Sequence, residues 1–173
     1  VRLGAILSEI LAPAQYAQNV ETVPGTGKRV EFAIRMPGAE KGASVWMPVD
    51  SKFPQEDWER LEAARAAGDR EAEAAAAKAL KTRFEAEAKD ISTKYLRAPW
   101  TTDFAVMFLP TESLYAELLR MPGLFERLQR DWHVMPAGPV VTAALLNSLQ
   151  VGFRTLAVQE RSADVWKLLG EVK

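Results

Sequence analysis

The segment KRVEFAIRMPGAEKGASVWMPVDSKFP, residues 28–54, decides the fold that the sequence predicts. Its first apolar run, residues 30–36, alternates apolar and polar side chains, which is the period of a β-strand with one buried face. A Pro-Gly turn signal and a small polar loop follow, and a second apolar run returns over residues 44–49. The segment therefore predicts two neighbouring strands that meet in a hairpin.

Three ionisable side chains mark one end of this predicted hairpin. Asp50 and Lys52 are two residues apart, so their side chains share a face of an extended strand. Glu31, near the start of the neighbouring strand, lies within reach of the same point. Two carboxylates and one ammonium group at the end of a sheet are suited to holding a hard divalent metal and orienting a water. The alternative is a solvated strand end with a surface ion pair, which contributes little free energy.

Composition excludes several classes of function. The 173 residues predict one domain with a substantial core. A net charge of −1 gives no overall basic field, so nucleic-acid binding requires a local basic patch. The absence of cysteine excludes disulfides, thiol catalysis and cysteine-ligated zinc. It also fits a reducing compartment, and we expect a cytoplasmic protein. No run approaches 18 apolar residues, so this chain is expected to make no membrane contact.

The remaining periodicities predict an α/β layer sandwich with a mixed sheet. The predicted order is a helix, three strands, helices, a strand, helices, a strand and a long helix. A Gly-Asp break at residues 68–69 divides residues 54–96 into an αα-hairpin inserted between strands. The other predicted elements are helix 1–11, extended segment 16–23, strand 103–109, helices from 111 and over 124–131, strand 133–137, and a long helix over 140–159 that continues over 161–172.

Further charged residues are candidates for the same site. Asp103 begins a predicted central strand and Glu112 stands at a helix N-terminus facing the same sheet edge, so either could complete an acidic site. Strand-end solvation and complementation of the helix dipole are the alternatives. Lys89, Lys94 and Arg97 lie near the end of the second hairpin helix and are candidates for phosphate contacts. The alternative for them is ordinary helix C-terminal charge.

Five segments carry a resemblance to a known family: VDSKFP (49–54), AKDISTKYL (88–96), TTDFAVMFLPTESLYAELL (101–119), AGPVVTAALLNSLQVGFRTLAVQERS (137–162) and VWKLLGEV (165–172). Through them the chain resembles the bacterial RmuC family of DNA recombination proteins across nearly its whole length. That family is similar to the restriction-endonuclease-like, PD-(D/E)XK nucleases. The resemblance implies a restriction-endonuclease-like core, with about five strands flanked by helices and the αα-hairpin as an insertion.

The resemblance also implies roles for the three residues at the hairpin end. Asp50 and Lys52 match the (D/E)-x-K element, and Glu31 matches the first acidic position of the superfamily. That position is usually aspartate, and here Val30 precedes it where a proline is usual. In such enzymes Glu31 and Asp50 would hold Mg²⁺ or Mn²⁺, and Lys52 would orient the attacking water or steady the developing charge.

Two readings of function follow from the resemblance. The first is a metal-dependent DNA endonuclease that acts in recombination, with DNA as its partner. The alternative is a DNA-binding or protein-interaction module that keeps the nuclease fold without turnover, and oligomerisation is left open.

The resemblance also predicts that residues 1–173 are one domain and a fragment of a longer protein. Proteins of this family carry a Gly-Glu pair on the first core helix, whereas here that helix is entered at Val1 and its only acid is Glu9. We therefore expect the fragment to lack one metal ligand and to have little nuclease activity alone. The longer protein is expected to carry coiled-coil or membrane-anchor segments.

Overall fold

The computed structural model describes residues 2–38, 40 and 42–171, and its elements follow the predicted order. The strands are β1 (Tyr16–Val20), β2 (Val30–Pro37), β3 (Ser44–Ser51), β4 (Ala105–Phe108) and β5 (Val134–Ala137). The helices are α1 (Leu3–Ile10), α2 (Gln55–Ala66), α3 (Arg70–Tyr95), α4 (Glu112–Arg120), α5 (Leu124–Trp132) and α6 (Pro139–Glu171), with a 3-10 turn at Pro13–Gln15. The predicted helix start at Val1 and helix end at Val172 lie outside the described residues.

The five strands form one mixed sheet in the order β1-β2-β3-β4-β5. The first three strands are antiparallel, whereas β3, β4 and β5 run parallel. Parallel neighbours need long crossover connections, which the α2–α3 hairpin and the α4–α5 pair provide. The predicted α/β class, with a mixed sheet of about five strands and an inserted αα-hairpin, is confirmed.

Two apolar layers cover the sheet. Along β4 the side chains alternate between them: Ala105 and Met107 pack with α2 to α5, whereas Val106 and Phe108 pack with α1 and α6. All four residues of β4 are buried, as the nearly all-apolar segment 103–109 predicts for a central strand. The α3 layer is the important one for function, because it covers the face of β3 that carries Asp50.

The αα-hairpin is fixed in place at its turn and along its side. Gly68 adopts a φ of +66°, a left-handed conformation that glycine accepts without strain. The Asp69 carboxylate then caps α3 by accepting a hydrogen bond from the Ala72 N–H at 3.0 Å. Arg65 donates two hydrogen bonds of 2.8 Å to the carboxylate of buried Glu117 on α4. These contacts fix the turn between α2 and α3 and tie α2 to α4.

Helix α6 is one continuous helix, as the predicted order has it, and it extends well beyond the sheet. Thr142 and Leu146 are its buried residues, and from residue 154 to residue 171 every position is exposed. Within the described residues it is the one helix that is long and apolar enough, by length and composition alone, to cross a membrane.

Candidate active site

Glu31 and Asp50 face each other across β2 and β3. The register pairs Phe32 with Val49, so the next pair toward the end of the hairpin is Glu31 with Asp50. Directly opposed residues of antiparallel strands project from the same face with Cβ atoms about 5 Å apart. The backbone N–H of Ser51 donates to Glu31 Oε2 at 3.2 Å and fixes that carboxylate. The structure therefore brings the two predicted acids together.

Lys52 completes this group because the chain stays extended past the end of β3. Its backbone N–H donates to the Phe108 carbonyl oxygen at 2.9 Å, as a strand residue would. Its Nζ lies 3.2 Å from Asp50 Oδ2. The same ammonium lies 3.1 Å from Glu87 Oε2 and 3.3 Å from Asp90 Oδ2. Lys52 is thus held between one carboxylate of the sheet and two of helix α3.

Sequence reasoning did not include Glu87 and Asp90 in the site. They are three residues apart on α3, so both project from the same side of that helix. Lys94, one turn further, places its Nζ 2.8 Å from Asp90 Oδ1. The spacing 87, 90, 94 is a visible signal of one charged helix face. Its contact with Lys52, which is 38 residues away from Asp90 in the chain, depends on how the hairpin folds over the sheet.

Burial dominates the electrostatics of the two opposed acids. It raises the pKa of Asp50, of which only 7% is exposed, although Lys52 acts in the opposite direction. It also raises the pKa of Glu31, against the hydrogen bond from the Ser51 N–H, and the negative charge of Asp50 adds to the rise. Each carboxylate is therefore harder to ionise than an ordinary one, and a nearby cation would favour the ionised forms.

At Lys52 and Asp90, in contrast, neighbouring charges and hydrogen bonds outweigh burial. Burial acts to lower the pKa of Lys52, but the charges and hydrogen bonds of Asp50 and Glu87 outweigh it, so the pKa rises. Burial likewise acts to raise the pKa of Asp90, but hydrogen bonds from Lys94 and Lys52 outweigh it, so the pKa falls. At neutral pH Lys52 is an ammonium and Asp90 is a carboxylate.

The donor set fits a divalent cation that is shared with a substrate. The described part of the chain contains no group of three or more aspartate, glutamate, histidine or cysteine side chains placed to hold a metal ion. Mg²⁺, however, is commonly bound by only one or two carboxylates together with waters and substrate phosphates. Glu31 and Asp50 are such a pair. The carboxylates of Glu31, Asp50, Glu87 and Asp90 also outnumber the cations beside them, which are Lys52, Lys94 and, 4.0 Å from Glu87, Arg83.

Asp103 and Glu112 are not brought to this cluster. Asp103 is exposed just before β4, whereas Asp50 lies beside Met107 near the other end of that strand. Asp103 precedes Met107 by four residues of extended chain, which is about 13 Å. Glu112 Oε1 accepts a hydrogen bond from the Val140 N–H at 2.7 Å, so this carboxylate caps the start of α6. Both residues are therefore removed from the predicted acidic site.

The predicted basic cluster is also divided. Lys94 belongs to the site through Asp90, but Lys89 points elsewhere because residues five apart on a helix face different directions. The Lys89 Nζ lies 5.7 Å from the Trp132 ring on α5. Arg97 follows the end of α3 and its side chain is exposed. The three residues do not form one phosphate-binding patch.

Glu112→Ala is predicted to weaken the fold without affecting the site. Removing the cap leaves the Val140 N–H without its carboxylate partner and should cost about 1 kcal/mol of stability, measured by urea denaturation. Glu112→Gln keeps an oxygen acceptor and should recover most of the loss. A metal-binding defect in Glu112→Ala with an intact fold would show that Glu112 contributes to the acidic site.

Comparison with known proteins gives one family and no structural relative. The family model described as "RmuC family" matches residues 1–173. Two curated proteins, each named DNA recombination protein RmuC homolog, come from Xylella fastidiosa strains Temecula1 and 9a5c. Each is 50% identical over 174 residues, and the match covers 100% of this chain but only 38% of each relative. No solved structure matches the chain at a significant level.

Proposed function

Because the chain belongs to the RmuC family, we propose that it is a metal-dependent nuclease domain that hydrolyses phosphodiester bonds of DNA in recombination. DNA is proposed as the substrate class because both relatives are named DNA recombination proteins. The observation that carries the proposal is the opposition of Glu31 and Asp50 on adjacent strands, with Lys52 held at 3.2 Å from Asp50. The proposal includes the (D/E)-x-K assignment of Asp50 and Lys52.

Glu31 and Asp50 are the residues that would hold Mg²⁺ or Mn²⁺. Both offer hard oxygen donors, and both have a pKa raised chiefly by burial, so a bound cation would stabilise their ionised forms. When bound, a divalent cation at such a site supplies polarisation of a phosphate oxygen and a lower pKa for a coordinated water. The Ser51 N–H keeps the Glu31 carboxylate oriented for this task.

Lys52 acts as a fixed positive charge. Its raised pKa keeps it protonated at neutral pH, so it does not serve as a general base. By exchanging one of its three carboxylate contacts, this ammonium would donate to the attacking water or to a phosphate oxygen whose negative charge grows during the reaction. Glu87 and Asp90 position Lys52 from the α3 side. They are positioning residues that need not touch DNA.

A cleavage assay tests the proposal. Branched, single-stranded and double-stranded DNA are incubated with the 173-residue chain, and with a longer protein that contains it, in Mn²⁺, in Mg²⁺ and in EDTA. Cleavage by the longer protein that requires a divalent cation is the expected result. Failure of the longer protein to cut any substrate would contradict the proposal, as would cutting that persists in EDTA. DNA binding without cutting would favour the alternative of a DNA-binding module.

DNA affinity is predicted to depend on a divalent cation even when cutting is prevented. The excess of carboxylates over cations around Lys52 repels phosphates, and Lys52 and Lys94 are already paired with carboxylates. With Ca²⁺ in place of Mg²⁺, we expect affinity about 10-fold or more above that in EDTA, at matched ionic strength. Fluorescence anisotropy of labelled duplex DNA measures this. Equal affinity in Ca²⁺ and EDTA would place the DNA-binding surface elsewhere.

A further inference from the structure

Helix α6 carries an uncharged outer stripe on the side that faces away from the sheet. Its members are spaced alternately four and three residues apart: Val151, Thr155, Val158, Ser162, Val165 and Leu169. The three valines are 62%, 63% and 53% exposed and Leu169 is 59% exposed. By helical geometry the stripe lies about half a turn from buried Thr142 and Leu146, which face the sheet. The sheet therefore cannot cover it.

The spacing of the stripe is that of a supercoiled helix pair. Apolar or small residues repeating every 3.5 positions keep one seam turned toward a partner helix, whereas a helix on a globular surface follows a period of 3.6. An isolated helical extension of about five turns is only marginally stable in water. The exposed part of α6, residues 154–171, therefore needs a partner to bury the stripe.

We propose that a second copy of this chain covers the stripe, with the two α6 helices parallel and in register. Charge and shape along the two edges of the stripe support this arrangement. Arg154 and Arg161 border one edge, and Gln159 and Trp166 border the other. In a parallel pair, each edge position meets the opposite-edge position five residues later in the partner. Arg154 then meets the partner's Gln159, and Arg161 meets the partner's Trp166, an arginine–aromatic contact.

An antiparallel pair is disfavoured by the same edges. Antiparallel helices bring like edges together, so the edge that carries Arg154 and Arg161 would face its own copy and two pairs of like charges would repel. A membrane is disfavoured as the partner that covers the stripe, because the exposed part of the helix carries charged side chains, each of which is costly in a bilayer. They are Arg154, Glu160, Arg161, Asp164, Lys167 and Glu171.

Oligomeric state tests the interface. Sedimentation equilibrium over a concentration series should give a dimer for the 173-residue chain and a monomer for Val158→Glu with Val165→Glu. The matched control, Ala157→Glu with Ala163→Glu, adds the same charge at exposed positions beside the stripe and should remain a dimer. Circular dichroism should show both variants folded, because the replaced side chains are exposed. A monomeric wild-type chain, or a Val158→Glu, Val165→Glu double variant that stays dimeric, would overturn the proposal.

Orientation is tested with single cysteines, since the chain has none of its own. A disulfide requires Cα atoms within about 7 Å. Val165→Cys should therefore cross-link to its own copy under a mild thiol oxidant only if the helices are parallel and in register. Ala157→Cys, beside the stripe, serves as the control and should not cross-link. Dimerisation without a cross-link at residue 165 would refute the parallel arrangement. Neither experiment depends on DNA or metal, so failure here leaves the proposed nuclease function untouched.

Discussion

Replacing Asp50 with asparagine is expected to abolish DNA cleavage while leaving the fold at least as stable as before. Asparagine retains the shape of the side chain but removes one of the two carboxylates that face each other across β2 and β3. If Asp50 binds the metal as proposed, its loss should reduce the rate by about 10²-fold to 10³-fold or more. The measurement is the initial rate of cutting by the longer protein in saturating Mn²⁺.

Stability separates this loss from unfolding. Burial raises the folded-state pKa of Asp50 above its ordinary value, so Asp50 supports the fold when it is protonated. That contribution is complete below the unfolded-state pKa and is lost as the pH rises through the folded-state pKa. The advantage of Asp50→Asn in free energy of unfolding should therefore grow from about pH 3 toward neutral pH. A variant that melts well below the wild type at pH 7 would contradict this account.

Asp103→Asn is the matched control for Asp50→Asn. It makes the same chemical change on an exposed aspartate at the other end of β4. Cleavage and stability should both stay at wild-type values. A loss of cleavage in Asp103→Asn equal to that in Asp50→Asn would mean that the active site is not the cluster around Lys52.

Lys52→Met is expected to damage both activity and stability. It removes the ammonium that lies within 3.3 Å of Asp50, Glu87 and Asp90, and leaves three carboxylates to repel one another in a partly buried site. The expected cost is about 2 kcal/mol at neutral pH. Cleavage should fall by about 10²-fold or more, because methionine offers no positive charge to the reaction. Urea denaturation and the cleavage assay measure the two effects.

The pH dependence of the Lys52→Met effect has a definite sign. The pKa of Asp90 is lowered in the fold, so the stability it contributes is present above its unfolded-state value and is lost as the pH falls through its folded-state value. The difference between wild type and variant should therefore shrink on acidification. Lys78→Met, an exposed lysine on the same helix α3, should change neither property. An equal cost for Lys52→Met at pH 7 and at low pH would contradict the ion-pair explanation.

The local sequence pattern predicts strands β2 and β3 and the end of the sheet at which Glu31, Asp50 and Lys52 lie. The alternation in residues 30–36 and the return over 44–49 predict the two strands, and period-2 geometry places Asp50 and Lys52 on one face. The hairpin then places Glu31 opposite Asp50, because an antiparallel register follows from a short turn. All of these relations span few residues, so the sequence alone contains them.

Long-range packing accounts for what the sequence does not predict. Glu87 and Asp90 reach Lys52 only because α3 packs across the sheet, where Arg127 of α5 contacts Glu85 of α3. Glu112 has the position and charge of a site acid, yet its carboxylate caps α6, an element that begins 27 residues later. Asp103 is not part of the cluster for a simpler reason: it lies just before β4, and Asp50 lies beside the other end of that strand.

Binding of a divalent cation by Glu31 and Asp50 is tested most directly by paramagnetic broadening with Mn²⁺. In ¹H–¹⁵N spectra of the chain, substoichiometric Mn²⁺ should selectively broaden the backbone amide signals of Glu31, Ser51 and Lys52, and Asp50→Asn should suppress this broadening. The amide of Asp103, about 13 Å away along the sheet, should be broadened far less. Selective broadening around Asp103, or no broadening near Asp50 at Mn²⁺ concentrations that support cleavage, would contradict binding by this pair.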